Sequence, residues 1–449
     1  MDRRHQTWAT SERFVPKRFV APFVRFTRIE AASGVVLLVA AVVAMVWANS
    51  RWSATYFGIL ETPLIVDLGP FHFDEDVQHV INDGLMAIFF FVVGLEIKRQ
   101  VVHGDLSDPK KAALPIMAAI GGMIFPALIY VLINLEAGEA AIRGWGIPMA
   151  TDIAFAVGVL ALLGSRIPSG ARLFLLTLAI ADDIGAITII AIFYTDDLNL
   201  GYLGLAVAGL AMVGVATRVG IRSLAFYVPL GVIVWYFTFE SGVHATLAGV
   251  ALGFMTPARS MYRAEEFDRR ARAILDSFPN EPETPEAREH ADHEALLLSE
   301  ISSEAVAPLN RLEHRLQAWS AFIVIPLFAL ANAGVDLRGI DIGAALTSTV
   351  AIGVTAGLVL GKTIGISLLS FITVKVGLGR LPEGTNWLHV VGLSIVSGIG
   401  FTVALFIAGL AFDDRVLNDL AKVGIFAGSL LAGALGSALL LRARPVAEA

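Results

Sequence analysis

Apolar stretches of about twenty residues recur along this chain, and each is long enough to cross a hydrocarbon core as a helix. They fall at roughly 29–49, 80–97, 112–135, 146–164, 171–194, 200–217, 224–239, 243–255, 319–335, 344–373, 387–412 and 420–441. The expected fold is therefore an all-α polytopic membrane protein with about 12 transmembrane helices. Composition agrees, because 56% of the 449 residues are hydrophobic and only 16% are charged, far from a soluble domain of this length. The absence of cysteine excludes disulfides, thiolate metal sites and cysteine catalysis.

Loop charges set the orientation. With the N-terminus inside, and residues 257–318 left aside, nineteen Lys and Arg fall on the cytoplasmic side and five (Arg51, Arg143, Arg338, Arg415, Lys422) on the other. That positive-inside bias alternates loop by loop and places both termini in the cytoplasm. The expected divisions are a basic cytoplasmic segment at 1–28, spans one to eight at 29–256, an acidic cytoplasmic loop at 257–313, spans nine to twelve at 314–441, and a cytoplasmic tail at 442–449. Residues 1–28 have seven basic side chains but no apolar core, so they read as a segment on the membrane surface and not a signal peptide. The acidic loop carries most of the net negative charge, with EEFDRRARAILD and EAREHADHEALLLSEISSE as expected surface helices. Alternation in TPLIVDLGPFHF, from Thr62 to Phe73, suggests a small β-hairpin on the outer side.

The chemistry concentrates inside the spans. Asp152 follows Pro148 closely, and Asp182 and Asp183 are adjacent within the fifth span. An intramembrane carboxylate costs several kcal/mol, so it marks a functional site with a partner to be found. Pro148 removes a backbone donor and disfavours helix before it. A second break is expected at Ser397–Thr402, where Gly398 and Gly400 interrupt the eleventh span. Irregular backbone at this depth is tolerated only where it lines a cavity or is buried in protein. Paired interruptions in two halves, at spans 4 and 11, suggest inverted repeats with two discontinuous crossing helices, an arrangement used by secondary transporters.

Asp182 and Asp183 point about 100° apart on a helix, so they cannot do the same job. Lys362 needs a buried aspartate partner. A carboxylate in a poorly hydrated cleft titrates closer to neutrality, and a hard cation needs its anionic form. Such a cation and H⁺ then compete for one group. The plainer readings are a buried structural pair for the aspartates, helix-end compensation for Asp152, a fold-stabilising salt bridge for Lys362, and a hydrogen-bonded interhelical residue for His244. Without a GxGD motif an intramembrane aspartyl protease is disfavoured, a channel suits the charge set less well, and no phosphate-binding loop supports an ATP-driven pump.

Several motifs occur in order along nearly the whole chain: GLMAIFFFVVGLEIKR (Gly84 to Arg99), ATDIAFAVGVLALLGSR (Ala150 to Arg166), ADDIGAI (Ala181 to Ile187), SGVHATLAGV (Ser241 to Val250), RLEH (Arg311 to His314), PLFALANAGV (Pro326 to Val335), GKTIGIS (Gly361 to Ser367), LPEGT (Leu381 to Thr385) and GIGFT (Gly398 to Thr402). Together they resemble the NhaA-type bacterial sodium/proton antiporters. The resemblance implies an electrogenic, pH-regulated exchange of Na⁺ or Li⁺ for H⁺ by alternating access in the bacterial inner membrane. It also implies a homodimer joined partly through the outer hairpin, a transporter and not an enzyme, with no cofactor and no nucleic-acid partner. Na⁺ would bind at Asp183 and Asp182, with Asp152 and Thr151 at the broken helices and Lys362 as the charge partner. Glu96, Lys98 and Arg99, with Arg311, Glu313 and His314, resemble the family's pH-activation cluster; His244 is a further pH-sensitive candidate. Gln100, Asn310 and Gln317 depart from residues common in the family, and the acidic loop is longer than usual.

Overall fold

The computed structural model describes residues 32–67, 72–195, 198–279, 284–339 and 342–443. The basic segment at 1–28, the Gly69-Pro70 tip and most of the C-terminal tail lie outside them. In chain order the elements are α1 (Ala32–Ala48), α2 (Ser53–Leu60), β1 (Pro63–Asp67), β2 (His72–Asp76), α3 (Val77–His103), α4 (Pro109–Asn134), α5 (Glu139–Met149) and α6 (Ile153–Leu163). Then come α7 (Ser169–Phe193), α8 (Leu200–Val219), α9 (Leu224–Glu240), α10 (Thr246–Met255), α11 (Ala264–Ser277), α12 (Pro285–Glu304) and α13 (Pro308–Asn332). The last are α14 (Ile342–Thr347), α15 (Thr349–Lys375), α16 (Trp387–Val396), α17 (Phe401–Ala411) and α18 (Arg415–Arg442).

Among the described residues, seven helices are long and apolar enough to cross a membrane, or up to ten if each bent pair is one span. The sequence count of twelve is larger because α9 and α10 are apolar but only 17 and 10 residues long. The pair α1–α2 turns by 114°, so α2 leaves the direction of α1. Outward faces are aliphatic: Val39, Val46, Leu132, Leu162, Ile192 and Leu430 are all exposed, as a lipid-facing surface requires.

The hairpin forms, with β1 and β2 antiparallel and Pro63 opposite Asp76. All five residues of β1 are exposed, Leu64, Ile65 and Val66 among them. The two expected helices of the acidic stretch also form, as α11 and α12, packed on each other.

Small residues set the tight contacts. A Cβ on Gly121 of α4 would strike the Gly365 backbone of α15, and one on Gly365 would strike Gly121; such approach favours packing where apolar driving force is weak. A Cβ on Gly361 would likewise strike Pro126, at 2.5 Å from its Cα. Along the chain, a long helix, an interrupted one and a second long helix occur twice. They are α4, α5–α6 and α7, then α15, α16–α17 and α18, with the interruptions bent by 43° and 46°.

One charge is not where the loop count put it. Lys422 is buried within α18, 3.7 Å from Asp419, because that helix begins at Arg415, capped by the Asp414 side chain. Lys362 is therefore not the only lysine buried along an apolar helix.

Candidate functional site

Both interruptions occur where sequence disfavours helix. In α5 the backbone is mostly 3₁₀ and ends at Met149, and Asp152 then caps α6 by accepting from Phe155 N at 3.0 Å. In the second break, α16 ends at Val396 and α17 restarts at Phe401 after Gly398 and Gly400. A Cβ on Gly400 would come within 2.8 Å of Leu358 Cδ2 and 3.2 Å of the Ala150 carbonyl, so glycine there lets the two breaks touch.

They are also tied by hydrogen bonds. Asp152 N donates to Ile399 O at 2.7 Å, and Thr151 Oγ1 donates to Ser397 O at 2.8 Å. Asp152 Oδ2 accepts from Thr402 N at 3.0 Å and Thr402 Oγ1 at 2.6 Å. One carboxylate thus serves the N-termini of both α6 and α17, where unpaired N–H groups and the helix dipoles favour negative charge. Thr402 is the contributor that sequence reasoning left unassigned; its only signal was a hydroxyl just after the GIG break.

The charged centre forms where α7 meets the breaks and α15. Lys362 Nζ donates to Asp182 Oδ2 at 2.5 Å and to Thr151 Oγ1 at 3.0 Å, with Lys362 and Asp182 side chains fully buried. Lys362 directly follows the π-helical segment Gly357–Gly361, a local widening common at functional sites. Asp182 Oδ1 is buried and has no hydrogen-bond partner among the described residues. Asp183, only 5% exposed, makes no hydrogen bond or ion pair to a described residue, yet lies within electrostatic reach of Asp182, Asp152 and Lys362. Buried polar groups are normally paired, so the unpartnered Asp183 carboxylate beside the free Oδ1 of Asp182 forms a cradle suited to a cation or proton.

A second cluster sits at the far end of α3. Glu96 Oε1 accepts from Arg99 Nη2 at 2.5 Å and from Gln100 Nε2 at 3.3 Å. Arg99 Nε lies 2.9 Å from Glu313 Oε1, so one guanidinium stands between the Glu96 and Glu313 carboxylates. Lys98 Nζ donates to Thr256 O at 2.5 Å. Arg311 donates to the Ser303 carbonyl at 3.1 Å and to its hydroxyl. His314 lines, with Arg99, His103 and Glu313, a cavity of about 680 Å³. His244 does not join them. Gly249 packs on Ala87 and Gly253 on Gly94, so α3 and α10 run side by side in the same direction, and His244, ahead of α10, falls at the Asp83 end.

Apolar helices of bilayer length around a buried charged centre define a multi-pass membrane protein. The family model described as Na⁺/H⁺ antiporter 1 matches residues 24–440, and the chain belongs to that family of transporters. It is 47% identical over 428 residues to the "Na(+)/H(+) antiporter NhaA" of Rhodopirellula baltica, covering 95% of each chain. It is 46% identical over 424 residues to that of Koribacter versatilis, covering 94% of this chain and 92% of the relative. To the "Na(+)/H(+) antiporter NhaA 2" of Sorangium cellulosum it is 44% identical over 433 residues, covering 96% and 92%.

Proposed function

We propose that this protein exports Na⁺ or Li⁺ in exchange for H⁺ across a bacterial cytoplasmic membrane, with Asp183 as the group for which cation and proton compete. The observation that carries this reading is the buried Asp183 carboxylate without a hydrogen-bond partner, beside the free oxygen of an Asp182 engaged by Lys362. Protonation of Asp183 removes the charge that holds a hard cation, so the two ions exclude each other. Cation binding across Asp183 and Asp182 weakens the hold of Asp182 on Lys362, freeing a second proton. The three groups titrate as a unit. More than one proton per cation makes exchange electrogenic, so the membrane potential assists sodium export.

The interrupted helices supply the pivot. Asp152 neutralises the two half-helix ends at the point where they cross, leaving their backbone free to re-form contacts as access alternates. Ten candidate spans together with α9 and α10 give twelve crossings with both termini cytoplasmic. Glu96, Lys98, Arg99, Arg311, Glu313 and His314 adjust activity to cytoplasmic pH, and the exposed strand β1 offers an edge for a homodimer.

The test is Na⁺-driven proton flux in proteoliposomes scanned over roughly pH 6 to pH 9, with and without an imposed potassium diffusion potential. A flux that answers Na⁺ or Li⁺ and accelerates with the potential supports the reading. Flux indifferent to potential removes electrogenicity, and no response to either cation at any pH removes the substrate assignment.

A further inference from the structure

Helix α12 turns an unmatched acidic face to solvent. Six acids and one arginine lie along its 20 residues. Glu294 is buried, 3.7 Å from His290 Nε2, and Glu304 pairs with Arg222 of the α8–α9 turn at 2.6 Å. The other four, Glu286, Glu289, Asp292 and Glu300, are exposed and form no ion pair with a described residue. At about 100° per residue they fall within roughly 120° of one another, opposite the buried Ala291, with Leu296 among them at 70% exposure. The neighbouring helix is different. On α11, packed against α12, Arg270 pairs with Glu266 and Arg272 with Asp268, each at 2.9 Å, so these charges cancel along one helix face.

A complementary stretch lies in the same chain. Residues 1–28 carry seven basic side chains against Asp2 and Glu12, and Arg-Phe-Val recurs at 13–15 and 18–20, with Arg-Phe again at 25–26. Each repeat sets an apolar group beside a cation, as the α12 face sets Leu296 beside carboxylates. The tether is long enough to bring them together. Asn49, just past α1, donates from Nδ2 to Val335 O and accepts from Leu337 N, both at 2.8 Å. The ends of α1 and α13 therefore coincide, and the two helices, packed side by side, run in the same direction. Counting back at about 1.5 Å per residue puts Ala32 level with about Ala318, roughly 15 Å short of Pro308. Helix α12 ends at Glu304, just before Pro308, and is about 30 Å long. Arg13 precedes Ala32 by nineteen residues, a reach of up to about 60 Å.

We propose that the basic N-terminal segment, through residues 13–20, docks on the Glu286–Glu300 face of α12 in its own chain. Its cations meet the four unmatched carboxylates, and its aromatic side chains cover Leu296. Single surface ion pairs contribute little. A tethered partner, however, is present at an effective concentration on the order of millimolar, so several pairs made together hold the segment. The cytoplasmic leaflet, itself negative, repels the α12 face and is the segment's competing destination. Docking is independent of which ion the protein carries.

The chain has no cysteine, so the experiment places spin labels at Val15→Cys and Ser299→Cys in the full chain, diluted with unlabelled protein in phosphatidylcholine nanodiscs. A narrow distribution of distances between the labels is expected. Glu286→Lys with Glu289→Lys and Glu300→Lys, all at exposed positions, is expected to broaden it. Adding Arg13→Glu, Lys17→Glu and Arg18→Glu to that variant is expected to restore the narrow distribution, which a misfolded α12 could not do. A broad distribution before any charge reversal overturns the proposal, as does a narrow one that survives reversal on α12 alone. A distribution that narrows only when phosphatidylglycerol is added assigns the segment to the membrane surface. One that is lost on dilution assigns the contact to a second copy. Either result overturns docking within the chain.

Discussion

Asp182 and Asp183 are neighbours in the chain with opposite surroundings: Asp182 is clamped by Lys362 at 2.5 Å, whereas Asp183 is buried with no hydrogen-bond partner among the described residues. The angle between successive side chains on a helix produces this split. It gives the pair a fixed member and a free one, and the predictions below follow from that difference.

Removing the lysine leaves a buried carboxylate uncompensated. Lys362→Met is expected to lose about 3–5 kcal/mol of stability, read as a lower melting temperature in detergent. Lys362→Met with Asp182→Leu is expected to recover much of it. Equal losses in single and double variants would mean that the pair contributes nothing by being a pair.

Asp152 spends both oxygens on helix N-termini. Asp152→Asn is expected to lose about 1–2 kcal/mol and to weaken apparent Na⁺ affinity while antiport persists. Abolished flux in a folded Asp152→Asn protein would give this residue an obligatory role as an ion ligand.

The approach of α4 and α15 positions Lys362. Gly365→Ala puts a methyl group against the Gly121 carbonyl, where backbone must move. A loss of about 1–3 kcal/mol is expected, together with reduced antiport. Wild-type melting would show that the two helices separate freely.

The pH profile of transport should not come from the loop between α13 and α14. Hydrogen bonding to the Arg338 guanidinium holds Asp336 below the usual aspartate range. A depressed folded value adds stability above the unfolded value of about 3.9 and loses it as pH falls through the folded value. Asp336→Asn is therefore expected to leave flux between neutral and alkaline pH unshifted; a displaced profile would place this loop in pH control.

Much of this was legible in the sequence, for physical reasons. Bilayer-length apolar runs mark helices because backbone in lipid must satisfy itself, and intramembrane Asp182, Asp183 and Lys362 are too costly to be incidental. Pro148 and the GIG sequence announce the two breaks through local backbone rules. What stayed hidden is nonlocal. Thr402 reaches Asp152 across 250 residues of sequence, and Arg99 reaches Glu313 from another helix. Only the family resemblance put Glu96 and Glu313 in one cluster. Lys422 reads as a loop charge because hydropathy does not see that Asp414 starts α18 before it. The span count exceeded the long helices because α9 and α10 are apolar enough but short.

The most direct test compares wild type with Asp183→Asn in proteoliposomes, following Na⁺-driven dequenching of a pH-sensitive dye over roughly pH 6 to pH 9. Wild type is expected to exchange. Asp183→Asn, folded and inserted equally well, is expected to be silent at every pH. Na⁺-driven exchange by Asp183→Asn would contradict the assignment of Asp183 as the group shared by cation and proton.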